Sequence, residues 1–429
     1  MGKTIASQII SLIIFIITYI LIFSGKFERA SAALLGLFLM LSVGYSFNFL
    51  NIEGVLKHVD WRVIILLFGM MTYVGIMAKT GFFKYLGIKA VKLSKGKPWL
   101  IFLYLSLITT FVSMIIDNVT TILLMIPLTV EVAEMLEISP IPIMLGEAIL
   151  SDVGGVGTMI GDPPNIMIAF ASKLSFNDFL LYLFPPVMAS LFVSILIARW
   201  IYRKWAREKG KNIEKLMEIN PNRYIKNKEK MKYLLFILIG MIILFATESY
   251  TNISPSFVAL AGATLALIVS MEEPKEAFKA VEWPTLVFFV ALFSLVGGLQ
   301  EVGLLDELAK WLSSLSGNVI LIAIIILWVS GITSSFVDNI PITAAMIPVV
   351  SIMVNNFNSE LLWWALAMGV GMGGNITPIG SSANVVTLSL SKRYGHEIKN
   401  KDWLKFGTLT GIVSMAVCTL FLFIIASFY

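Results

Sequence analysis

The chain predicts an all-α polytopic membrane protein made of two inverted repeats. Each repeat carries a re-entrant hairpin and a broken transmembrane helix, giving about 10 spans plus 2 hairpins. Three observations carry this expectation. The composition is apolar and laid out in long runs, three motifs recur in order at nearly one offset, and basic residues are placed so that the copies face opposite ways.

Of the 429 residues, 58% are hydrophobic and only 14% are charged, with a mean hydropathy of +0.87. A soluble domain lies nearer half apolar and a quarter charged. Runs of about 18 or more apolar residues match what a helix needs to cross a hydrocarbon layer. The first run, near 5–24, is followed by Gly25, Lys26 and Phe27 and by no small-residue cleavage site, so it is expected to be a span. Further apolar segments lie near 30–50, 62–79, 98–116, 121–136, 141–154, 178–202, 232–248, 254–271, 283–300, 318–336, 343–354, 359–373 and 404–428. The pieces 121–136, 141–154 and 343–354 are short for a crossing of about 20 residues. With one cysteine, Cys418, and two histidines, His58 and His396, a disulfide framework, a thiol metal site and a zinc enzyme are all set aside. The net charge of +5 resides in residues flanking the spans and gives no reason to expect a nucleic-acid partner.

The long polar segment 203–231 carries ten basic residues from Arg203 to Lys230 and divides the chain. It is expected to be a cytoplasmic linker, too short to bury a core of its own. Before it lies a first half, 1–202, with hairpin 98–137 and broken helix 141–173. After it lies a second half, 232–429, with hairpin 318–356 and broken helix 359–391.

The two halves read as copies. "SMIIDNVTTILLMIP" (113–127) matches "SSFVDNIPITAAMIP" (334–348), placing Asp117 and Asn118 on Asp338 and Asn339 at an offset of 221. "GVGTMIGDPPN" (155–165) matches "GNITPIGSSAN" (374–384) at an offset of 219, and "VDW" (59–61) pairs with "VEW" (281–283). Segment 82–97 holds five lysines, whereas its counterpart around 304–317 holds Asp306, Glu307 and only Lys310. Basic flanks stay in the cytoplasm, so the copies are inverted, with 203–231 and 392–405 inside and both termini outside. Inverted repeats are the architecture of alternating-access transporters.

Glycine and proline at 154–165 break a helix between apolar arms, and unwound backbone is tolerated in a bilayer only where it lines a protein cavity. The Asp-Asn motifs are expected at hairpin tips pointing at the breaks, although two ordinary spans joined by an Asp-Asn turn would read alike in one copy alone. Repeat one adds Glu147, Asp152 and Asp162, where repeat two has Leu366, Gly371 and Ser381. Intramembrane carboxylates point to proton relay or cation binding, the alternative for Asp152 and Asp162 being helix capping. Repeat two instead offers neutral Asn375, Thr377, Ser381, Ser382 and Asn384.

These motifs resemble the ion transporter superfamily that includes arsenite efflux permeases, NhaD-type sodium/proton antiporters, the melanocyte P protein and the citrate and dicarboxylate carriers. The D-N-x-T-T hairpin and the G-D-P-P-N break look most like the arsenite permease and P-protein branch, and the likeness runs from about residue 25 to the end. It implies a scaffold region, a moving transport region of hairpins and broken helices, and a homodimer in the cell membrane. The candidate substrate and ion ligands are Asp117, Asn118, Thr120, Thr121, Gly155, Thr158, Gly161, Asp162 and Asn165 in repeat one. In repeat two they are Asp338, Asn339, Thr343, Gly374, Asn375, Thr377, Gly380, Ser381, Ser382 and Asn384. Coupling falls to Asp117, Glu147, Asp152, Asp162 and Asp338, with H+ or Na+ as the coupling ion, Na+ near Asp117, Asn118, Asp338 and Asn339, and no cofactor. Dicarboxylate carriers have a Ser-Asn-Thr tip where this chain has Asp117-Asn118-Val119 and Asp338-Asn339-Ile340, and fixed carboxylates would repel a dianion. The first reading is therefore a carrier, not an enzyme, exporting a small inorganic ion or oxyacid such as arsenite in exchange for protons. The alternatives are a sodium/proton antiporter and, behind it, a di/tricarboxylate symporter or an ion channel.

Overall fold

The computed structural model of the chain describes residues 4–24 and 26–428. Among these, nine helices are long and apolar enough to cross a membrane. Three of them, Asn118–Met135, Val319–Phe336 and Asn339–Phe357, are hairpin arms. The other six, with Lys228–Ala246, Pro255–Ser270 and two interrupted helices, make the ten crossings that the sequence implies. The interrupted helices are Ile141–Gly155 with Pro163–Ser172, and Leu361–Gly373 with Ser382–Arg393.

Two bundles result. Ile5–Phe23, Arg29–Phe47 and Trp61–Lys79 pack with Lys228–Ala246, Pro255–Ser270 and Trp283–Glu301. In the second bundle, hairpin arms Pro98–Ser113 and Val319–Phe336 pack on the half-helices Ile141–Gly155 and Leu361–Gly373, beside Phe176–Ile201 and Leu409–Ala426. The second arms cross over between repeats: Asn118–Met135 packs on Ser382–Arg393, and Asn339–Phe357 on Pro163–Ser172.

The repeats match in detail. Asp117 and Asp338 each take the N-cap position of a second arm, with φ and ψ of −56° and 152° against −45° and 142°. Their caps explain why these arms begin at Asn118 and Asn339, earlier than the apolar runs at 121 and 343 suggest. The polar first turn hides the helix start from hydropathy, while the side-chain cap supplies acceptors for its free N–H groups. Pro127 and Pro348 fall at matching places inside the arms. Gly81 and Gly303, at φ 84° and 83°, open the two amphipathic helices Phe82–Leu93 and Leu304–Ser314.

One face gathers the basic connections. Lys92 Nζ donates to the carbonyls of Met217 and Ile219, both at 2.7 Å, and the Lys226 N–H donates to Thr80 O at 2.9 Å. The Lys211 N–H reaches Leu136 O at 2.8 Å, and His396 lies 3.2 Å from Glu134. Segment 203–231 and the loop around 396 therefore lie together at the base of the first hairpin.

Candidate functional site

Each hairpin tip is seated against a helix break by backbone contact. A Cβ at Gly154 would lie 2.3 Å from Thr110 O, and one at Gly373 would lie 2.1 Å from Gly331 O. No glycine of either break has a positive φ. Close approach of hairpin to half-helix, rather than left-handed backbone, is what these positions require. The hydroxyls of Thr158 and Thr377 then donate to Met114 O and Ser335 O, tying each break to its own tip.

The freed carbonyls of the breaks are satisfied locally, as a bilayer demands. Asn165 Nδ2 donates to Val156 O at 2.9 Å and to Thr158 O at 2.8 Å. Asn384 Nδ2 reaches Gly374 O at 3.1 Å and Thr377 O at 3.4 Å. The last span adds a π turn, Leu404–Thr408, flanked by Trp403 and ending at Thr408. Trp403 Nε1 donates to Asn375 O at 3.1 Å, and Thr408 Oγ1 to Ile376 O at 2.7 Å.

The carboxylates meet where tips and breaks converge. Asn118 Nδ2 and Ser381 Oγ both donate to Asp152 Oδ1, at 3.0 and 2.9 Å. Asn118 Oδ1 in turn accepts from Ser113 Oγ at 2.5 Å. Asn339 Nδ2 donates to Asp162 Oδ2 at 3.0 Å. Both acids are buried, and repeat two reaches into repeat one at each of them. Neither acid caps a helix: Asp152 lies within Ile141–Gly155, and Asp162 holds the N-cap position of Pro163–Ser172 without a side-chain cap bond.

A cavity of about 280 Å³ opens beside this centre, lined by Asp117, Asn118, Asp162, Asn339, Ser381 and Ser382. Its opposite wall comes from the other bundle: Glu28, Arg29, Met71, Glu282, Thr285 and Phe288. Arg29 Nη1 donates to Asp338 Oδ2 and to Ser382 Oγ, both at 2.6 Å, and Ser382 Oγ also donates to Asp338 Oδ2 at 2.6 Å. Asp338 thus has a cation partner, which leaves it less suited to hold Na+ than Asp117. Asp117 lines the cavity while its Oδ1 accepts from the Thr120 N–H at 2.9 Å.

The remaining expected ligands take supporting places. Gly155, Thr158, Gly161, Asn165, Gly374, Thr377, Gly380 and Asn384 build the breaks without lining the cavity. Asn375 is buried in the second break, and neither polar atom of its side chain has a hydrogen-bond partner among the described residues. Thr343 Oγ1 donates to Asn339 O at 2.7 Å, and Thr121 is buried in its arm. Glu147 is fully buried away from the cavity, accepting from Thr129 Oγ1 at 2.7 Å. Neither Arg29 nor Glu282 stands out as a site residue in the sequence. Arg29 reads as a flanking charge, and its partner lies 309 residues away. Glu282 is visible there only as a repeat landmark. Among the described residues, no three His, Cys, Asp or Glu side chains gather to hold a metal ion.

Comparison with known proteins gives this geometry a context. The sequence model of a family described as citrate transporter matches residues 19–369. A 46 kDa membrane protein of Mycobacterium leprae is 34% identical over 97% of this chain and 98% of its own length. A protein of Mycobacterium tuberculosis named as an uncharacterized transporter is also 34% identical, over 97% of this chain and 98% of its own. The P protein of Homo sapiens is 28% identical over 93% of this chain and 58% of its own length. The YdaH transporter of Alcanivorax borkumensis, whose crystal structure is described as having an unusual topology, superposes with a TM-score of 0.58. That match covers 87% of each chain at 13% identity, a likeness of fold.

Proposed function

The chain belongs to the citrate transporter family, and from that premise we propose that this membrane transporter exports a small inorganic species of the arsenite type by alternating access, in exchange for protons. The observation that carries the reading is the placement of the polar centre. Asp152, Asp162, Asn118, Asn339 and Ser381 all belong to the bundle of hairpins and broken helices, whereas the facing wall with Arg29 and Glu282 belongs to the other bundle. Movement of one bundle past the other would carry the centre intact between the two sides. With 203–231 in the cytoplasm, the cavity opens inward in this conformation, because Glu28 and Glu282 begin spans that start on that face.

Electrostatics favours a neutral or cationic substrate. Four carboxylates, Glu28, Asp117, Asp162 and Glu282, line the cavity beside one arginine, and that arginine is engaged by Asp338. A citrate trianion would meet net repulsion there. Arsenite is uncharged near neutral pH, and its hydroxyls suit the carboxylates and amides of Asp162, Asn118 and Asn339. Cys418 is buried and does not line the cavity, so oxygen and amide groups would do the binding. Sodium/proton antiport is the second reading, favoured by Asp117, which faces the cavity with no cation partner among the described residues. Flux of arsenite, Na+ and citrate into proteoliposomes, with pH or sodium gradients imposed separately, tests the proposal. Arsenite movement driven by an opposing proton gradient is the expected result. Sodium-dependent proton movement alone would select antiport, and citrate uptake would overturn both readings.

A further inference from the structure

The repeat landmarks at 59–62 and 281–284, "VDWR" and "VEWP", have diverged in a way that concerns charge. In repeat one, Asp60 caps its helix through the Arg62 N–H at 3.0 Å. Its carboxylate is also held by the Arg62 guanidinium at 2.9 and 2.6 Å. The position equivalent to Arg62 is Pro284, which supplies neither guanidinium nor N–H. Glu282 accordingly makes no cap bond and, among the described residues, no ion pair. Its Oε2 accepts from Thr285 Oγ1 at 3.1 Å. The carboxyl faces the cavity opposite Asp117.

We propose that Glu282 is a further proton-carrying residue, standing on the scaffold wall and exchanging a proton with Asp117 when the cavity is in this orientation. This rests on the reading of the chain as a proton-coupled carrier. The step moves one proton: an O–H bond of the Glu282 carboxyl breaks, one forms on the Asp117 carboxylate, and the negative charge passes the other way. In the opposite orientation the second bundle would carry Asp117 away from Glu282, so the exchange would be confined to one side.

The surroundings fit this role. Burial pushes the Glu282 carboxyl up to about 7, with the Asp117 charge across the cavity adding to the rise and the Thr285 hydroxyl opposing it. Below that pH Glu282 holds its proton, and above it the carboxylate forms. Among the described residues, the other charged groups on the cavity are Glu28, Asp162 and Arg29, the last engaged by Asp338. On the neighbouring helix, Lys79 is bound by Glu272 and is not free to neutralise Glu282.

The test is pH-dependent accessibility, which needs no substrate. In a Cys418→Ser background, Val385→Cys places a thiol on the cavity lining, and its maleimide labelling is normalised to that of a Lys211→Cys control. The expected result is a step centred near neutral pH that E282Q abolishes and E282D retains. Thr285→Val, which removes the hydroxyl donor while keeping the helix, should move the midpoint upward, and it serves as the readout if E282Q does not fold. A midpoint unchanged in E282Q and in Thr285→Val would overturn the proposal, as would the absence of any step in the starting background. If arsenite flux is absent but the step responds as expected, the proton-carrying role stands and the substrate reading fails.

Discussion

At the residue scale, two acids that could have served as helix caps serve a different purpose. Asp162 makes no cap bond and instead accepts from Asn339 of the other repeat. Asp162→Asn should therefore lack the roughly 1 kcal/mol cost of losing a cap. Its unfolding temperature in detergent should match the parent while gradient-driven flux falls at least tenfold. Arg29 raises the converse case. Arg29→Met would leave the buried Asp338 carboxylate with only Ser382 and a backbone N–H, a loss of about 1–3 kcal/mol. Removing both charges, in Arg29→Met with Asp338→Asn, should recover most of that stability, because the cost comes from the unpaired charge rather than from the missing pair. A double variant less stable than Arg29→Met would rule out the unpaired charge as the source of the loss.

At the element scale, hairpins and breaks form one device held by backbone proximity. Gly154→Ala and Gly373→Ala would each push a Cβ onto a carbonyl that cannot yield, costing about 1–3 kcal/mol. Gly240, in Lys228–Ala246, has open space around its Cβ position. Gly240→Ala should be neutral or stabilising by up to about 1 kcal/mol, and thermal unfolding of the three variants checks the contrast. Much of this device was legible in the sequence, since the Asp-Asn and Gly-rich motifs recur in order and mark both tips and both breaks. The reason for the glycines was not legible, because a requirement for close approach and one for open backbone select the same residue. Nor was the division of labour at the breaks: Asn165 and Asn384 read as ligands, yet they close hydrogen bonds that broken helices leave open. Arg29 stayed hidden because its pairing with Asp338 is made by packing between helices, which sequence spacing does not record.

At the scale of the whole molecule, two bundles share one cavity, and the polar centre lies within one of them. The linker at 203–231 docks on the same face as the lysines of 82–97, so a cysteine at position 211 should be labelled by an impermeant reagent only from the cytoplasmic side. Labelling from outside would reverse the assigned orientation of the cavity. The proposed proton coupling turns on Asp117, the hairpin-tip carboxylate that faces the cavity without a cation partner among the described residues. Asparagine keeps the hydrogen-bonding shape of aspartate but cannot take up a proton to change its charge. The most direct test is arsenite flux in proteoliposomes under an imposed pH gradient, comparing the parent protein with a monodisperse Asp117→Asn variant. The gradient should accelerate flux in the parent and leave the variant unaffected, whereas gradient-driven flux of equal rate in both would rule out a coupling role for Asp117.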